Sequence, residues 1–367
     1  MHTKLASSQD AALYLQIKET IRDKIESGEL KSGDRLPTEM ELAGFYNVSR
    51  ITARQAILGL VDEGYVFRQP RRGTFVCDLG RREKKQTNII GVIVATIGYS
   101  FVTNLIEIIE ERARQAGHTI MPCAAGNVLE RVIDSLHSLA ENNVKKIIYA
   151  PVQSGNYEQD NLVVIREMMK LKMQYVLLDS YLIGANCNYV GSDNFQGAYE
   201  ATKYLISLGH ERIAMLSNLI SSSVTDRLAG FSKAMREAGL YVPQEAIAEV
   251  SGPKSEEVAY ECTKNLLSGF KPTAILSIND TAAIGAYYAI RDSGLDIPGD
   301  VSLISFDEVN VNEAPLRFTV VKQSAKMIGK AAVELLLEDT EESDPKRIIV
   351  PTELIIRDSC AKNKLSC

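Results

Sequence analysis

Between Pro37 and Val76 the chain carries two short amphipathic helices and then an arginine-bearing hairpin, an order that few folds can accommodate. Thr38-Glu39-Met40-Glu41, directly after Pro37, has the spacing of a capping box. Residues 46–49 then turn the chain, and Ser49 can cap a second helix running to about Gly64. In that helix Ala53, Ala56, Ile57 and Leu60 recur at helical spacing and form a core face. Arg50 and Arg54, four apart, share another face near the positive N-terminal end. Two β-like runs, 65–68 and 73–76, are joined by Gln69-Pro70-Arg71-Arg72. Helix, turn, helix, basic hairpin is the order of a winged helix-turn-helix, which places its second helix in a DNA groove. An isolated basic pair is usually a solvated face. Several basic elements on one such frame point to nucleic acid.

Charge supports that division of labour. The formal net charge of −6 argues against a uniform polyanion-binding surface. Residues 1–87, however, hold 15 Lys and Arg against 12 Asp and Glu, while the remainder holds 26 against 35. A mildly basic head on an acidic body suits a DNA-contacting unit joined to one with another task. So modest a basic excess predicts two heads acting together. Six cysteines without a CxxC pair, and four histidines, offer no zinc site, so neither metal nor cofactor is expected. No apolar leader opens the sequence and no apolar run approaches membrane-spanning length, so a cytoplasmic protein with reduced thiols is expected.

Leu36-Pro37-Thr38-Glu39, the run from Val48 to Ala56 and Arg72-Gly73-Thr74-Phe75-Val76 resemble the signature of GntR-family regulators, as does the helix expected from Tyr14 to Ser27. The resemblance implies that Arg50, Thr52 and Arg54 meet the major groove. It implies that Arg71, Arg72 and Gly73 approach the minor groove or backbone, with Arg35, Thr38, Ser49 and Ile51 completing the DNA-facing set. Ile51 could touch a thymine methyl, and Ser49 both caps its helix and presents N–H groups to a phosphate. Met40 stands where some members place an arginine.

Beyond the charged stretch 78–88, short apolar runs alternate with longer amphipathic segments. Strands are expected at 89–95, 119–123, 146–150, 175–178, 212–216, 274–277, 301–305 and 318–321. Helices are expected at 102–116, 128–142, 195–208, 226–238, 256–268, 280–293 and 324–337. Such alternation predicts an α/β fold of parallel sheets covered by helices, and some 270 residues divide best into two similar lobes. We expect a DNA-binding unit over 1–77, a linker over 78–88 and an effector-binding, dimerising body over 89–367. The lobes would comprise about 89–190 with 322–348, and 191–321 with 349–360.

The runs 189–199, 208–214, 226–231, 297–302 and 351–359, with Asn279-Asp280 and Ser305-Phe306-Asp307, resemble LacI/GalR-type effector domains. That resemblance implies a bilobed, periplasmic-binding-protein-like (type I) fold with a ligand cleft. The combination with the winged head resembles arabinose-repressor-type regulators.

Open α/β sheets bind ligands at strand carboxyl ends. Sugar hydroxyls need planar acceptors and donors there, with an aromatic face against the C–H side of the ring. Asp179, Asn279, Asp280 and Asp307 end expected strands, Arg227 is expected to open a helix, and Phe101, with Tyr99 as neighbour, follows the first strand. Lys254 and Gln323 fall where the resembled family lines its pocket. Taken singly, each acid could simply cap a helix or turn, and Arg227 could be an interlobe ion-pair partner. The expected effector set is Phe101, Asp179, Arg227, Lys254, Asn279, Asp307 and Gln323.

The leading reading is a DNA-binding repressor of carbohydrate genes, a homodimer on a palindromic operator, controlled by a sugar-like effector. A sugar-binding transport protein, and a regulator that needs or is activated by a phosphorylated or acidic ligand, remain open. Enzymatic activity is not expected: the chain has no GxSxG elbow, no P-loop and no paired catalytic histidines.

Overall fold

The computed structural model describes residues 8–70, 72–77, 87–97, 100–218, 221–250, 255–309, 315–338 and 344–364. The chain separates into two compact units, Met1–Gln86 and Thr87–Cys367.

In the first unit α1 (Ser8–Glu26) starts ahead of the expected Tyr14 and buries Ile17, Ile21 and Ile25, one apolar stripe at four-residue spacing. α2 (Glu39–Phe45) opens on the expected capping box, with Glu41 accepting from the Thr38 N–H at 2.7 Å. α3 (Arg50–Asp62) opens under Ser49, whose hydroxyl accepts from the Thr52 N–H at 3.1 Å. It ends two residues before the expected Gly64, because Gly64 turns left-handed and the Tyr65 N–H bonds back to Leu60. Ala53, Ala56, Ile57 and Leu60 are buried against the α1 stripe, each large apolar side chain contributing roughly 1.5–3 kcal/mol. β1 (Val66–Gln69) and β2 (Gly73–Val76) pair antiparallel, Val66 opposite Val76. The segment before α2 is stitched to this wing, since the Leu36 N–H bonds to Thr74 and the Val76 N–H to Asp34, each at 2.9 Å.

In the second unit β3 (Ile89–Val94), α4 (Ser100–Gln115), β4 (Thr119–Ala124), α5 (Leu129–Glu141), β5 (Lys146–Tyr149), α6 (Tyr157–Lys170), β6 (Gln174–Leu178) and β7 (Tyr189–Ser192) build most of one lobe. The chain then crosses into α7 (Asn194–Ser207), β8 (Ile213–Ser217), α8 (Ser222–Glu237), β9 (Ile247–Glu249), α9 (Ser255–Ser268), β10 (Ala274–Ser277), α10 (Asp280–Asp292), β11 (Ser302–Phe306) and β12 (Thr319–Lys322). It returns through α11 (Ala325–Leu337) and β13 (Arg347–Val350), and crosses once more to β14 (Glu353–Ile355). The two sheets run β4-β3-β5-β6-β7-β13 and β9-β8-β10-β11-β12-β14. All neighbouring strands are parallel except β14, which lies antiparallel to β12.

Each sheet is covered on both faces, so its central strands are uniformly buried and read as continuous apolar runs. The first two crossings are marked by helix caps, Asp193 accepting from the Gln196 N–H and Ser324 from the Met327 N–H. Three details depart from the sequence expectation. Gly191, Ser192, Ile349 and Val350 pair within the first sheet and Lys322 within the second, so the crossings fall one or two residues later than expected. Thr87 and Asn88, expected in the linker, belong to the body: the Thr87 hydroxyl donates to Asn143, and Asn88 accepts from the Thr119 N–H. α8 begins at Ser222, so Arg227 lies in its second turn rather than at its opening.

Candidate functional site

The head presents its basic side chains from three elements. Arg50 is 70% exposed at the first position of α3, and Arg54 one turn later is also exposed. Ile51 between them is 71% exposed, an apolar side chain of this size left facing water beside two guanidinium groups. Arg72 is exposed at the wing tip. Gly73, at φ 123°, has Arg35 Nε so close that a Cβ there would stand 2.8 Å from it. Wing and pre-helix segment thus bring Arg35, Gly73 and Arg72 together. Thr38 and Ser49 are exposed, each with its hydroxyl engaged in a cap.

Thr52 corrects the expectation. It is 2% exposed, its hydroxyl 2.8 Å from Ser49 Oγ, because position 52 falls on the buried face of α3. Arg71 lies outside the described residues. Sequence reasoning missed Glu39 and Arg68, whose carboxylate and guanidinium meet at 2.9 Å beside Arg50. A glutamate in a capping motif reads as helix chemistry, and only the fold brings β1 against it.

In the body the strand-end acids occupy equivalent places in the two lobes. Asp179 directly follows β6 and Asp307 directly follows β11, and both adopt left-handed backbone, φ 66° and 64°. Asp tolerates that region better than most side chains, and such strain persists where surrounding structure imposes it. Arg227 is 6% exposed, its guanidinium 3.9 Å over the Phe306 ring, with Nε donating to Asn194 at 2.7 Å and Nη1 donating to the Ile278 carbonyl.

Burial depresses the pKa of Arg227, and Asp307 and Asp179 push it back up. The same burial raises Asp179 against the pull of Arg227. It raises Asp307 to about 7 despite Arg227 and a 2.7 Å bond from the Gln323 amide. One guanidinium therefore offsets the charge of two acids from opposite lobes in a poorly solvated place.

A cavity of about 370 Å³ opens beside this group, lined by Phe101, Asn104, Asp307, Lys322, Gln323 and Lys326 among others. Its walls come from α4 and the start of α11 in one lobe and from the ends of β11 and β12 in the other. It thus brings together three of the expected residues, Phe101, Asp307 and Gln323. Gln323 is 6% exposed, and its Oε1 is buried with no hydrogen-bond partner among the described residues. Asn279 caps α10, accepting from the Ala282 N–H at 2.8 Å, and Asp280 accepts from the Thr281 N–H at 2.8 Å, so the duller reading holds for those oxygens. Lys254 and Tyr99 lie outside the described residues.

Sequence reasoning also missed the seam beside the cleft. Ser180 Oγ lies 3.0 Å from Ser223 Oγ, the Tyr181 N–H donates to Ser222 Oγ at 2.7 Å, and the Tyr181 hydroxyl donates to Asp226 at 3.0 Å. The serine run 221–223 was its only signal. A smaller cavity, about 170 Å³, lies at the far ends of β6 and β7 beside Tyr175 and Leu335, away from the strand-end acids. None of the five cysteines among the described residues is in a disulfide, and no group of three or more His, Cys, Asp or Glu among those residues could hold a metal ion. No described helix is long and apolar enough to cross a membrane.

A winged helix with an outward arginine ridge, carried in one chain with a two-lobed body around a cleft, defines a DNA-binding transcriptional regulator. Residues 13–76 match the gntR family of bacterial regulatory proteins, and residues 202–360 match the periplasmic binding protein-like domain. The chain is 33% identical over 282 residues to the HTH-type transcriptional repressor PurR of Haemophilus influenzae, covering 74% of this chain and 81% of that one. It is 29% identical over 353 residues to the arabinose metabolism transcriptional repressor of Geobacillus stearothermophilus, covering 94% and 97%. Among solved structures it resembles a LacI family transcriptional regulator from Enterococcus faecium with bound ribose, with TM-score 0.63, 26% identity and coverage of 75% and 100%. The chain belongs to the bacterial transcriptional repressors with a LacI-type, periplasmic-binding-protein-like effector domain, here joined to a GntR-type head.

Proposed function

We propose that this regulator represses carbohydrate-utilisation genes and that a small sugar or sugar derivative between the lobes sets its grip on operator DNA. The observation that carries this reading is Gln323. Its amide N–H goes to Asp307 while its Oε1 has no donor among the described residues, and its side chain lines a cavity that also holds an aromatic face. An unmade buried hydrogen bond costs free energy, and a ligand hydroxyl in the cavity removes that cost. Asp179 and Asp307 supply further acceptors, Phe101 packs against the ring, and Arg227 fixes both acids. Asn279 and Lys254 complete the set. The bound ribose in the Enterococcus faecium regulator and the name of the Geobacillus stearothermophilus repressor support a sugar.

On the head, Arg50, Ile51 and Arg54 enter the major groove, Arg71, Arg72 and Gly73 meet the minor groove or backbone, and Arg35, Thr38 and Ser49 face phosphates. A cytoplasmic homodimer presents two such heads to a palindrome. Ligand favours closed lobes by its differential affinity for that state and so releases DNA. Lys322 and Lys326 on the cavity wall favour a second reading, a phosphorylated or acidic effector.

The test pairs two assays on the full chain. Pentoses, hexoses and their phosphates are screened for a rise in melting temperature, since a ligand of the native state stabilises it by mass action. Any active compound is then added to the protein bound to its own upstream DNA in a gel-shift titration. A neutral sugar that stabilises and releases supports the first reading, and activity confined to phosphorylated sugars supports the second. No stabilisation by any of them sinks both.

A further inference from the structure

Glu39 stands where a carboxylate should weaken DNA binding, on the face that also presents Arg50 and Arg68. Its Oε1 is 2.9 Å from Arg68 Nη2 and its Oε2 is 3.5 Å from Arg50 Nε. The three residues belong to different elements, the first position of α2, the first position of α3 and the middle of β1. Their exposures are graded: the Glu39 side chain is 20% exposed, Arg68 38% and Arg50 70%. The carboxylate is thus sunk beneath two guanidinium groups that reach past it toward solvent.

We infer that Glu39 is a positioning residue for sequence reading: it fixes the guanidinium groups of Arg50 and Arg68 and so ties the recognition helix to the wing. This rests on the DNA-binding reading of the head. Arginine reads a base edge through a planar fork, and the fork discriminates only if its plane is held. A free Arg50 at the exposed start of a helix samples many rotamers and serves equally well as a charge for any phosphate. Glu39 engages the Nε edge of Arg50 and leaves the remaining donors to point outward. It lowers the net charge facing the backbone by one, so it opposes the sequence-independent attraction that all phosphates share. Both effects act in one direction, toward preference and away from raw affinity.

The experiment uses the full chain and two duplexes of equal length and composition. One is selected by the wild-type protein from a randomised pool, and the other is its scrambled counterpart. Glu39→Gln keeps the shape and removes the charge. It should bind the scrambled duplex several-fold more tightly, with a salt slope steeper by up to about one unit. Its preference for the selected duplex should fall by about tenfold, the scale of one well-held base contact. Glu39→Asp keeps the charge and withdraws it, so preference should fall with little gain on the scrambled duplex. In the Glu39→Gln/Arg68→Ala double variant, preference should fall below that of Arg68→Ala, because Arg50 then loses the carboxylate contact that Arg68→Ala leaves in place.

A merely structural role in α2 would lower the melting temperature and weaken both duplexes together. A merely repulsive role would tighten both together. Unchanged preference in Glu39→Gln and Glu39→Asp overturns the inference. Failure of the wild type to select any duplex at low salt would instead sink the reading of the head, and is seen before any variant is made.

Discussion

The head and the cleft both centre on arginine, and they use it in opposite ways. Arg50 is 70% exposed on a helix N-terminus, where its charge is cheap to keep and available to a partner. Arg227 is 6% exposed, stacked on Phe306 and surrounded by Asp179, Asp226 and Asp307, so its charge is tolerable only because carboxylates share the site. Exposure thus separates a residue free to meet a partner from one spent on its own surroundings. The largest expected effect follows from the second case. Arg227→Ala leaves Asp179 and Asp307 without their common counter-charge and Asn194 without its donor, and should cost about 3–5 kcal/mol of stability, the penalty for breaking a buried charge group. In urea titrations the midpoint should drop. In gel shifts at permissive temperature DNA binding should persist while the response to effector is lost. A variant that responds normally would remove Arg227 from the cleft account.

Arg50→Ala tests the other side of the comparison. It should leave the melting temperature nearly unchanged, because the side chain is mostly solvated and its ion pair with Glu39 is worth little. Operator affinity should weaken by roughly 1–3 kcal/mol with relaxed base preference. Equal losses on operator and scrambled DNA would reduce Arg50 to a phosphate contact.

Titration sharpens the contrast further, since burial brings the cleft acid Asp307 into the neutral range. Asp307 in the folded protein has its pKa raised to about 7 by burial, against an ordinary carboxylate value when unfolded. The folded state therefore binds more protons than the unfolded one between about pH 4 and 7, so the contribution of Asp307 to stability is present at low pH and lost as pH rises through that window. The ligand-free melting curve should carry a loss of about 1–2 kcal/mol across it, allowing for solvent that reaches this half-buried group. Asp307→Asn should flatten it. Sugar hydroxyls that donate to the carboxylate stabilise its ionised form, so affinity should rise with pH through about 7 in calorimetric titrations. Affinity that is flat with pH would mean that no ligand donor meets Asp307.

What could be read beforehand follows the same division between local and distant chemistry. The α2 capping box, the Ser49 cap, the α3 apolar face and the β10 strand were legible because period and cap lie within a few consecutive residues. Strands β7, β9, β13 and β14 were not, since edge and crossing strands this short carry little period and are defined by their neighbours. At the cleft, Phe101, Asp307 and Gln323 were found because they follow strand ends or match a resembled pattern. Tyr181, Ser222 and Ser223 were missed because their partners lie some forty residues away. Asn279 carries both readings at once: its side-chain oxygen caps its own helix, which leaves only its amide N–H2 to offer a ligand.

Thr52 separates pattern from burial most cleanly. The resemblance puts it between two groove-facing arginines, but a helix turns 100° per residue, which brings position 52 onto the stripe that also carries Ala53 and Ala56. Its hydroxyl is spent on Ser49 Oγ at 2.8 Å. Thr52→Val keeps the volume and exchanges that hydroxyl for a methyl group, while the cap from the Thr52 N–H to Ser49 Oγ survives. The expected result is a stability loss of about 0.5–1.5 kcal/mol, one hydrogen bond, with operator affinity and base preference unchanged once measured on folded protein. A loss of preference at a single base position, with stability intact, would show that α3 rolls or frays on DNA to turn Thr52 outward. In that event Arg50 and Arg54 would also leave their present faces, and the Glu39 tether would have to break with them.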